Sequence, residues 1–247
     1  MGFAVSADAY DRFMGRFSRP LARDFADFAG VGAGEALDVG SGPGALTEEL
    51  LARGARVTAV DPSRSFVAAV RERCPGVRAL EGAAEALPFA DASFDAALAQ
   101  LVVHFMADAS AGVAEMARVV RPGGTVAACV WDHERGPVGP FWTAAAEVSG
   151  IAPPPPRVGT RRGDLARLLE GAGLRDVVEA PLEASVRIGS FDEWWEPFEL
   201  GVGPVGELVA RLDAAARARL CERYRELLPA PPFEARGLAW AARGTRA

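Results

Sequence analysis

The sequence predicts an α/β protein with a doubly wound, mostly parallel sheet, and three observations support this prediction. Short β-like runs alternate with helical patterns over residues 34–132, which is typical of right-handed βαβ units. A glycine-rich loop, GSGPG, follows the first of these runs. The run over residues 125–131 is almost entirely apolar, as expected of a central parallel strand that is covered on both faces.

Local signals set the bounds of each predicted element. Pro43 stands in the first turn of the first helix and Gly54 lies just past its end, while Ser63 is placed to cap the second helix. The predicted strands are 35–39, 55–60, 77–80, 94–99 and 125–131, and the predicted helices are 43–53, 63–73 and 109–120. Later elements are a helix over 164–170, a strand within 174–188 and a returning strand over 233–242.

Two further segments are predicted to lie outside this core. The N-terminal segment has apolar residues at helical spacing from Phe13 to Phe28, and we expect Pro20 to begin a new helix there. Residues 190–228 are predicted to form a helical insertion over the sheet edge. We therefore predict one domain over 1–247, divided into an N-terminal helical cap (1–33), the core (34–189), a C-terminal helical lid insertion (190–230) and the final strand (231–247).

Composition narrows the class of protein. The chain of 247 residues carries 33 acidic and 27 basic residues, a net charge of −6, which disfavours nucleic acid as the main partner. Its three cysteines are widely spaced, which argues for a reducing compartment and against a disulfide scaffold or a metal site. We find neither a signal-peptide pattern nor an apolar run of membrane-spanning length. These observations predict a cytoplasmic protein that binds neither membranes nor nucleic acid.

The glycine loop and an acidic residue after the next strand predict a cofactor site. Glycines at every second position of residues 40–44 let the backbone turn sharply and a ligand approach closely, and a helix N-terminus follows. Asp61 ends the second strand, where its carboxylate can accept hydrogen bonds from both hydroxyls of a ribose. We therefore predict a nucleoside-containing cofactor. A tight turn without a ligand, capping by Asp61 and a dinucleotide site of the loose pattern GxGxx[GA] remain alternatives.

Four segments occur in the order and spacing of a known family. These segments are LDVGSGPG (37–44), VDPS (60–63), EALPFADASFDAALA (85–99) and ARVVRPGGTV (117–126). Over residues 37–131 the chain resembles the class I S-adenosylmethionine-dependent methyltransferases, especially the small-molecule group with LPF and RPGG signatures. YDRFMGRFS (10–18) also looks like the N-terminal helix of such enzymes. The resemblance implies a Rossmann-like methyltransferase sheet, S-adenosylmethionine as cofactor, S-adenosylhomocysteine as product and a small-molecule acceptor.

The same resemblance implies roles for individual residues. Asp38 would orient the loop, Gly40, Ser41 and Gly42 would pass under the methionine moiety, Asp61 would hold the ribose, and Pro62 would lie against the adenine. In the family an Asp often follows the glycine of the third strand and receives the adenine amino group, but here that residue is Ala83. We expect the backbone N–H of Ala84 or the side chain of Glu85 to substitute. Gln100, which ends the fourth strand, would offer its carbonyl to the methionine ammonium.

The two histidines are the candidate general bases. His104 follows the fourth strand and His133 follows the fifth, so both fall at the edge where open α/β sheets bind ligands. Imidazole titrates near neutral pH, and a base is needed only if the acceptor must lose a proton. Packing of His104 and a loop position for His133 are the structural alternatives.

Six residues are predicted to contact the acceptor. They are Tyr10, Arg16, Trp131, Asp132, Trp194 and Trp195. Tyr10 and Arg16, with Phe13, would close over the site as an N-terminal lid, and the tryptophans would stack on a flat or apolar acceptor. Core packing for Phe13 and the tryptophan pair, and capping for Asp132, are the alternatives to these roles.

The sequence as a whole favours a monomeric or homodimeric methyltransferase that acts on a small metabolite, with O-methylation preferred over N- or C-methylation. A non-catalytic S-adenosylmethionine-binding module, an RNA or protein methyltransferase and an NAD-dependent oxidoreductase remain as alternatives. A cofactor titration separates the last of these from the others.

Overall fold

A seven-stranded sheet forms the centre of the protein in a computed structural model that describes residues 6–247. The prediction about a signal sequence falls partly on residues 1–5, which lie outside the described residues. The strands are β1 (Gly34–Val39), β2 (Ala55–Asp61), β3 (Arg78–Glu81), β4 (Phe94–Gln100), β5 (Val120–Trp131), β6 (Arg175–Ile188) and β7 (Phe233–Thr245). Their order across the sheet is β3-β2-β1-β4-β5-β7-β6, which confirms the predicted doubly wound class.

All neighbours from β3 to β5 pair in parallel, while β7 runs antiparallel to both β5 and β6. The strand order reverses between β1 and β4, because the chain returns from β3 at one edge to place β4 on the other side of β1. Crossovers on opposite faces leave a crevice at this switch point, beyond the carboxyl ends of the two strands. The functional site is therefore expected where the loops after β1 and β4 meet.

Helices cover both faces of the sheet. They are α1 (Ala7–Tyr10), α2 (Arg16–Ala29), α3 (Ala45–Ala52), α4 (Arg64–Arg73), α5 (Ala109–Val119), α6 (Gly139–Ser149), α7 (Asp164–Gly171), α8 (Phe191–Trp195), α9 (Gly203–Arg211) and α10 (Ala214–Leu227). Leu98 and Ala127 face a core shared with α2, α3, α6 and the helices after β6. Ala97 and Ala128 face the opposite core beneath α5 and α7. The central strands are buried on both faces, which explains their continuous apolar sequence.

The N-terminal segment is helical throughout its described part, because a π-helical turn at Asp11–Gly15 joins α1 to α2. Pro20 lies inside α2 on its exposed side and does not begin a new helix, contrary to the expectation. Proline removes only one backbone donor, and the opposite side of α2 buries Phe17, Leu21 and Phe25. That burial stabilises the helix on both sides of Pro20.

Residues 190–228 are mainly helical, as predicted, and pack with α2 and α6 in one apolar core. Helix α6 is absent from the sequence prediction, although Pro140 stands in its first turn and Phe141 is fully buried. Strand β5 also begins earlier than expected, at Val120, and passes through the RPGG segment with Gly123 at a φ of 81°. Within residues 6–247 no helix is both long and apolar enough to cross a membrane.

Candidate cofactor and acceptor site

A cavity of about 600 Å³ lies beyond the carboxyl ends of β1, β2 and β4. Eight of the ten residues predicted to contact the cofactor line it: Gly40, Gly42, Asp61, Pro62, Ala83, Ala84, Glu85 and Gln100. Asp38 and Ser41 are buried beside the cavity and do not line it. The topology thus brings residues from four separate loops together at the switch point.

The glycine loop is held by hydrogen bonds that use its backbone donors. The Gly40 and Ser41 N–H groups both donate to the Val60 carbonyl, at 2.7 and 3.1 Å, and the Gly42 N–H donates to Asp61 Oδ2 at 2.8 Å. None of these three donors is left for a pyrophosphate, which binds such loops through free N–H groups. The loop therefore differs from a dinucleotide-binding loop even though its sequence fits that pattern.

Asp61 joins the ends of β1 and β2. Besides accepting from Gly42, its carboxylate accepts the Ser63 N–H at 2.8 Å through Oδ1. Burial raises the pKa of Asp61, and these two backbone hydrogen bonds oppose that shift. Each oxygen keeps a further lone pair, so the carboxylate can still accept from a diol in the cavity. The alternative of simple capping accounts for the Ser63 contact alone.

Two acceptor oxygens near the cavity have no hydrogen-bond donor among residues 6–247. Gln100 donates from Nε2 to the Ser18 carbonyl at 2.8 Å, and its Oε1 is buried without a partner. Asp38 accepts from the Thr47 hydroxyl at 2.6 Å through Oδ2, while its Oδ1 is also buried without a partner. Buried acceptors are normally satisfied. An ammonium group bound here would supply the missing donors, so these residues fit an amino-acid-bearing cofactor.

Burial raises the pKa of Asp38 from 3.8 to about 7, with a smaller contribution from the nearby Asp61 charge. Because the folded state binds this proton more tightly than the unfolded state, the stabilisation that the protonated group provides is complete below about pH 4. It is lost as pH rises to about 7. We expect Asp38→Asn, whose carbonyl keeps the Thr47 hydrogen bond, to lose less stability than the wild type over this range.

Urea unfolding of both proteins at intervals from pH 4 to 8, without cofactor, measures this difference. Asp61 titrates in both proteins, so its contribution cancels in the comparison. Parallel stability curves for the two proteins would contradict the shifted pKa of Asp38.

Gly40 is required by its surroundings as well as by its φ of 68°. A Cβ at this position would clash with the Val102 side chain, because Cβ, Cγ1 and Cγ2 of that residue would all lie closer than 3.0 Å. We expect Gly40→Ala to lower the free energy of unfolding by about 1–3 kcal/mol, as overpacking does. Gly42→Ala is the matched control, since Gly42 has a φ of 53° but no atom within 4 Å of the added Cβ. Equal losses in urea unfolding would show that φ alone matters.

Several residues of the cavity escaped the sequence prediction. They are Ser63, Arg64, Ser65, Phe66, Gly82, Leu101, Val102, Phe105, Met106 and Ala107. Most of them stand within a few residues of a predicted strand end, which was the available signal. Glu85 is turned toward the segment after β4, where its Oε1 accepts the Ala107 and Asp108 N–H groups at 2.7 and 3.2 Å.

A second, smaller pocket of about 180 Å³ adjoins the cofactor cavity. Tyr10, Leu101 and Phe105 line both spaces, so they form the boundary between them. His104, His133 and Trp131 also line the smaller pocket. Both candidate bases therefore lie in one pocket beside the cofactor cavity, together with one of the predicted acceptor contacts.

The histidines differ in their electrostatics. Burial lowers the pKa of His104 to about 3, with a smaller contribution from the positive charge of Arg157. His104 is therefore neutral near pH 7 and a weak proton acceptor, since an efficient general base has a pKa near the working pH. His133 is half-buried and donates its backbone N–H to the Thr160 carbonyl at 2.9 Å.

Four predicted acceptor contacts lie outside both spaces. Asp132 accepts the Trp240 Nε1–H at 2.7 Å and the N–H groups of Glu134 and Arg135. Arg16 donates to the Arg12 carbonyl and lies over the Trp194 ring. Trp194 and Trp195 are buried among the aromatic residues of the lid. In each case local packing or turn capping occupies the group that the prediction assigned to an acceptor.

Comparison with known proteins agrees with this geometry. Residues 37–128 match the model of a family described as a methyltransferase domain. The chain is 38% identical over 133 residues to an uncharacterized methyltransferase of Mycobacterium tuberculosis, covering 53% of this chain and 52% of that protein. It is 37% identical over 116 residues to a demethylmenaquinone methyltransferase of Tropheryma whipplei, covering 46% of this chain and 48% of that protein. The chain thus spans about half the length of these curated relatives.

The fold extends the likeness beyond the matched segment. The YcgJ protein of Bacillus subtilis superposes with a TM-score of 0.58 over 92% of this chain and 97% of its own, at 18% identity. The strand order and the helices on both faces thus give the chain a Rossmann-like fold. Residues 37–128, a little over a third of the chain, match the methyltransferase domain family, in agreement with the resemblance that the sequence motifs predicted.

Proposed function

We propose that the protein transfers a methyl group from S-adenosylmethionine to a small-molecule acceptor and releases S-adenosylhomocysteine. The observation that carries this proposal is the donor and acceptor balance around the larger cavity. Its acceptors include the Asp61 carboxylate and the unpartnered oxygens of Gln100 and, beside it, Asp38. S-adenosylmethionine brings a ribose diol and an ammonium group, which are the donors that these oxygens lack.

The balance of hydrogen-bond donors and acceptors around the larger cavity also disfavours the oxidoreductase alternative. NAD carries a pyrophosphate, whose oxygens need N–H donors or cations. The loop donors are already bonded to Val60 and Asp61. Arg64 is a cation at the cavity, but it is paired with Glu81 at 2.9 Å.

The smaller pocket supports a compact, largely apolar acceptor. It is lined mainly by aromatic, aliphatic and proline side chains, and a cavity on the order of 150 Å³ is large enough for benzene. A folded RNA or protein surface would need an open approach. The relatives named as demethylmenaquinone methyltransferases act, by that name, on a small molecule, which agrees with this proposal.

Bound S-adenosylmethionine supplies an electrophilic methyl group on a sulfonium sulfur. The task of the chain is then to orient the two reactants and exclude water, which provides much of the rate in such reactions. Asp61 would hold the ribose and Gln100 the ammonium, while Tyr10, Leu101 and Phe105 would separate the acceptor from the rest of the cofactor. We favour an oxygen nucleophile because two histidines line the acceptor pocket. His133 is the better candidate base, since the lowered pKa of His104 makes that imidazole a weak proton acceptor.

Parallel calorimetric titrations with S-adenosylmethionine, S-adenosylhomocysteine and NAD test the proposal. We expect micromolar binding of the first two and none of NAD. Binding of NAD alone would place the glycine loop in a dehydrogenase. Binding of S-adenosylmethionine without turnover on a broad panel of phenols, amines and activated carbon acids would favour the non-catalytic module.

A further inference from the structure

Arg157 stands in the loop between α6 and α7 and lines the acceptor pocket. Its guanidinium carbon lies 5.5 Å from the centre of the Phe105 ring, one of the three residues that separate this pocket from the cofactor cavity. Among residues 6–247, no carboxylate pairs with this guanidinium and no carbonyl accepts a hydrogen bond from it. Arg157 is half-buried, and its positive charge therefore has no counter-ion among the described residues that line this pocket.

The remaining groups of the pocket do not supply that anion. The titratable or charged side chains that line it are Tyr10, His104, His133 and Arg157, and none of the described lining residues is acidic. Burial raises the pKa of Tyr10 to about 12, so Tyr10 is uncharged. Burial and Arg157 together keep His104 uncharged as well. The pocket is therefore apolar with a net positive field, which an anionic oxygen on an apolar body would satisfy.

Trp131 adds a second unmet donor. Its ring lines the same pocket, and its buried Nε1–H has no partner in the part of the chain that the structure describes. His104 lines the same pocket, and its buried Nδ1 also has no partner among residues 6–247. The polar atoms left unsatisfied around this pocket thus include the donors that an oxyanion needs.

We propose that Arg157 determines acceptor specificity by selecting a compact aromatic acceptor whose hydroxyl is bound as the phenolate. The transfer step rests on the proposed methyltransferase function, whereas selection of the phenolate does not. On binding, the hydroxyl loses its proton to solvent, because the guanidinium stabilises the oxyanion. The oxygen then forms its bond to the methyl carbon as the methyl–sulfur bond breaks and the electron pair stays on sulfur. The products are a neutral methyl ether and a neutral thioether, and His133 would be needed as a base only for an acceptor that is not bound as its anion.

The probe for this proposal is 4-nitrophenol, a one-ring phenol whose phenolate absorbs at a longer wavelength than the phenol. Its absorbance is titrated from pH 5 to 9, free and in the presence of saturating protein, without cofactor. An opposite charge at close range lowers the pKa of an acid by about 1–3 units. We expect the wild type to lower the apparent pKa of the bound probe by about 1 unit, which is about tenfold tighter binding of the phenolate than of the phenol.

Three variants test whether the Arg157 charge causes the lowered apparent pKa of the bound probe. Arg157→Gln should abolish the shift, and Arg157→Lys, which keeps the charge, should retain part of it. Arg161→Gln is the matched control, since Arg161 lies on the same loop and lines only the neighbouring groove. It should leave the shift unchanged. Thermal unfolding of all three variants verifies that they are folded.

The proposal is overturned if Arg157→Gln keeps the wild-type shift, if Arg161→Gln removes it equally, or if the wild type shows no saturable binding of the probe. S-adenosylhomocysteine binding is measured on the same samples. An Arg157-dependent shift in a protein that fails to bind S-adenosylhomocysteine would reject the methyltransferase function but keep the phenolate pocket. Normal S-adenosylhomocysteine binding without the shift would reject the phenolate pocket but keep the methyltransferase function.

Discussion

Replacing Trp194 by alanine is expected to lower the free energy of unfolding by about 3–5 kcal/mol, the range for large aromatic residues in cores. Trp194 is only 2% exposed and its ring contacts Phe17, Phe198 and Phe233 edge-on, with centroids 5.4–6.2 Å away. Its Nε1–H donates to the Tyr224 hydroxyl at 3.0 Å. The substitution leaves a cavity and also removes the partner of a fully buried hydroxyl. Urea unfolding measures the loss.

Trp194→Phe is the matched control. It keeps most of the apolar contact and loses the hydrogen bond, so we expect a smaller loss, on the order of 1–3 kcal/mol. Neither variant should change acceptor affinity beyond the effect of partial unfolding, because Trp194 does not line the acceptor pocket. A Trp194→Ala protein of normal stability that has lost turnover would instead support the acceptor contact that the sequence suggested.

Replacing Asp61 by alanine is expected to weaken binding of S-adenosylhomocysteine by about 10- to 100-fold, equivalent to about 1–3 kcal/mol. The carboxylate would accept from the ribose and also holds the Gly42 and Ser63 N–H groups at 2.8 Å. Its removal takes away the ribose acceptor and releases the glycine loop from the end of β2. Calorimetry with S-adenosylhomocysteine measures the change without turnover.

Two further variants separate the loss of the Asp61 hydrogen bonds from the loss of a negative charge near the cavity. Asp61→Asn keeps one acceptor oxygen and should lose less affinity than Asp61→Ala. Glu81→Gln removes a negative charge at the register partner of Asp61 in β3. Glu81 does not line the cavity and its ion pair with Arg64 is exposed to solvent, so affinity should stay near the wild-type value. Unchanged binding by Asp61→Ala would remove the ribose contact from the proposed site.

The sequence prediction is accurate for elements set by local signals and fails for elements that depend on contacts between distant parts of the chain. The strands β1, β2 and β4 were predicted to within two residues because their apolar runs and flanking turns are local signals. Helix α6 was missed because the sequence around Phe141 has weak amphipathic periodicity, and its stability comes from packing against α10 and the lid aromatics. Pro20 was misjudged for a related reason, since burial on the far side of α2 outweighs one missing donor.

The same distinction between local signals and long-range contacts applies to the candidate cofactor site. Gly40, Gly42, Asp61 and Gln100 each stand at a predicted strand end, and parallel strands present those ends at one edge. The use of the loop donors by Val60 and Asp61 depends on how two loops approach each other. That feature, which separates this loop from a dinucleotide-binding loop, has no counterpart in the motif itself.

The sequence alone therefore determined the fold class, the resemblance of its central segment to a methyltransferase domain and the strand ends that line the larger cavity, because each depends on local patterns repeated in chain order. Only the tertiary structure decided the strand order, the burial of Trp194 and Trp195 in the lid, and the meeting of Arg157 with His104 and Trp131 in one pocket. These features join segments far apart in the chain. Long-range packing, rather than any local pattern, brings them together.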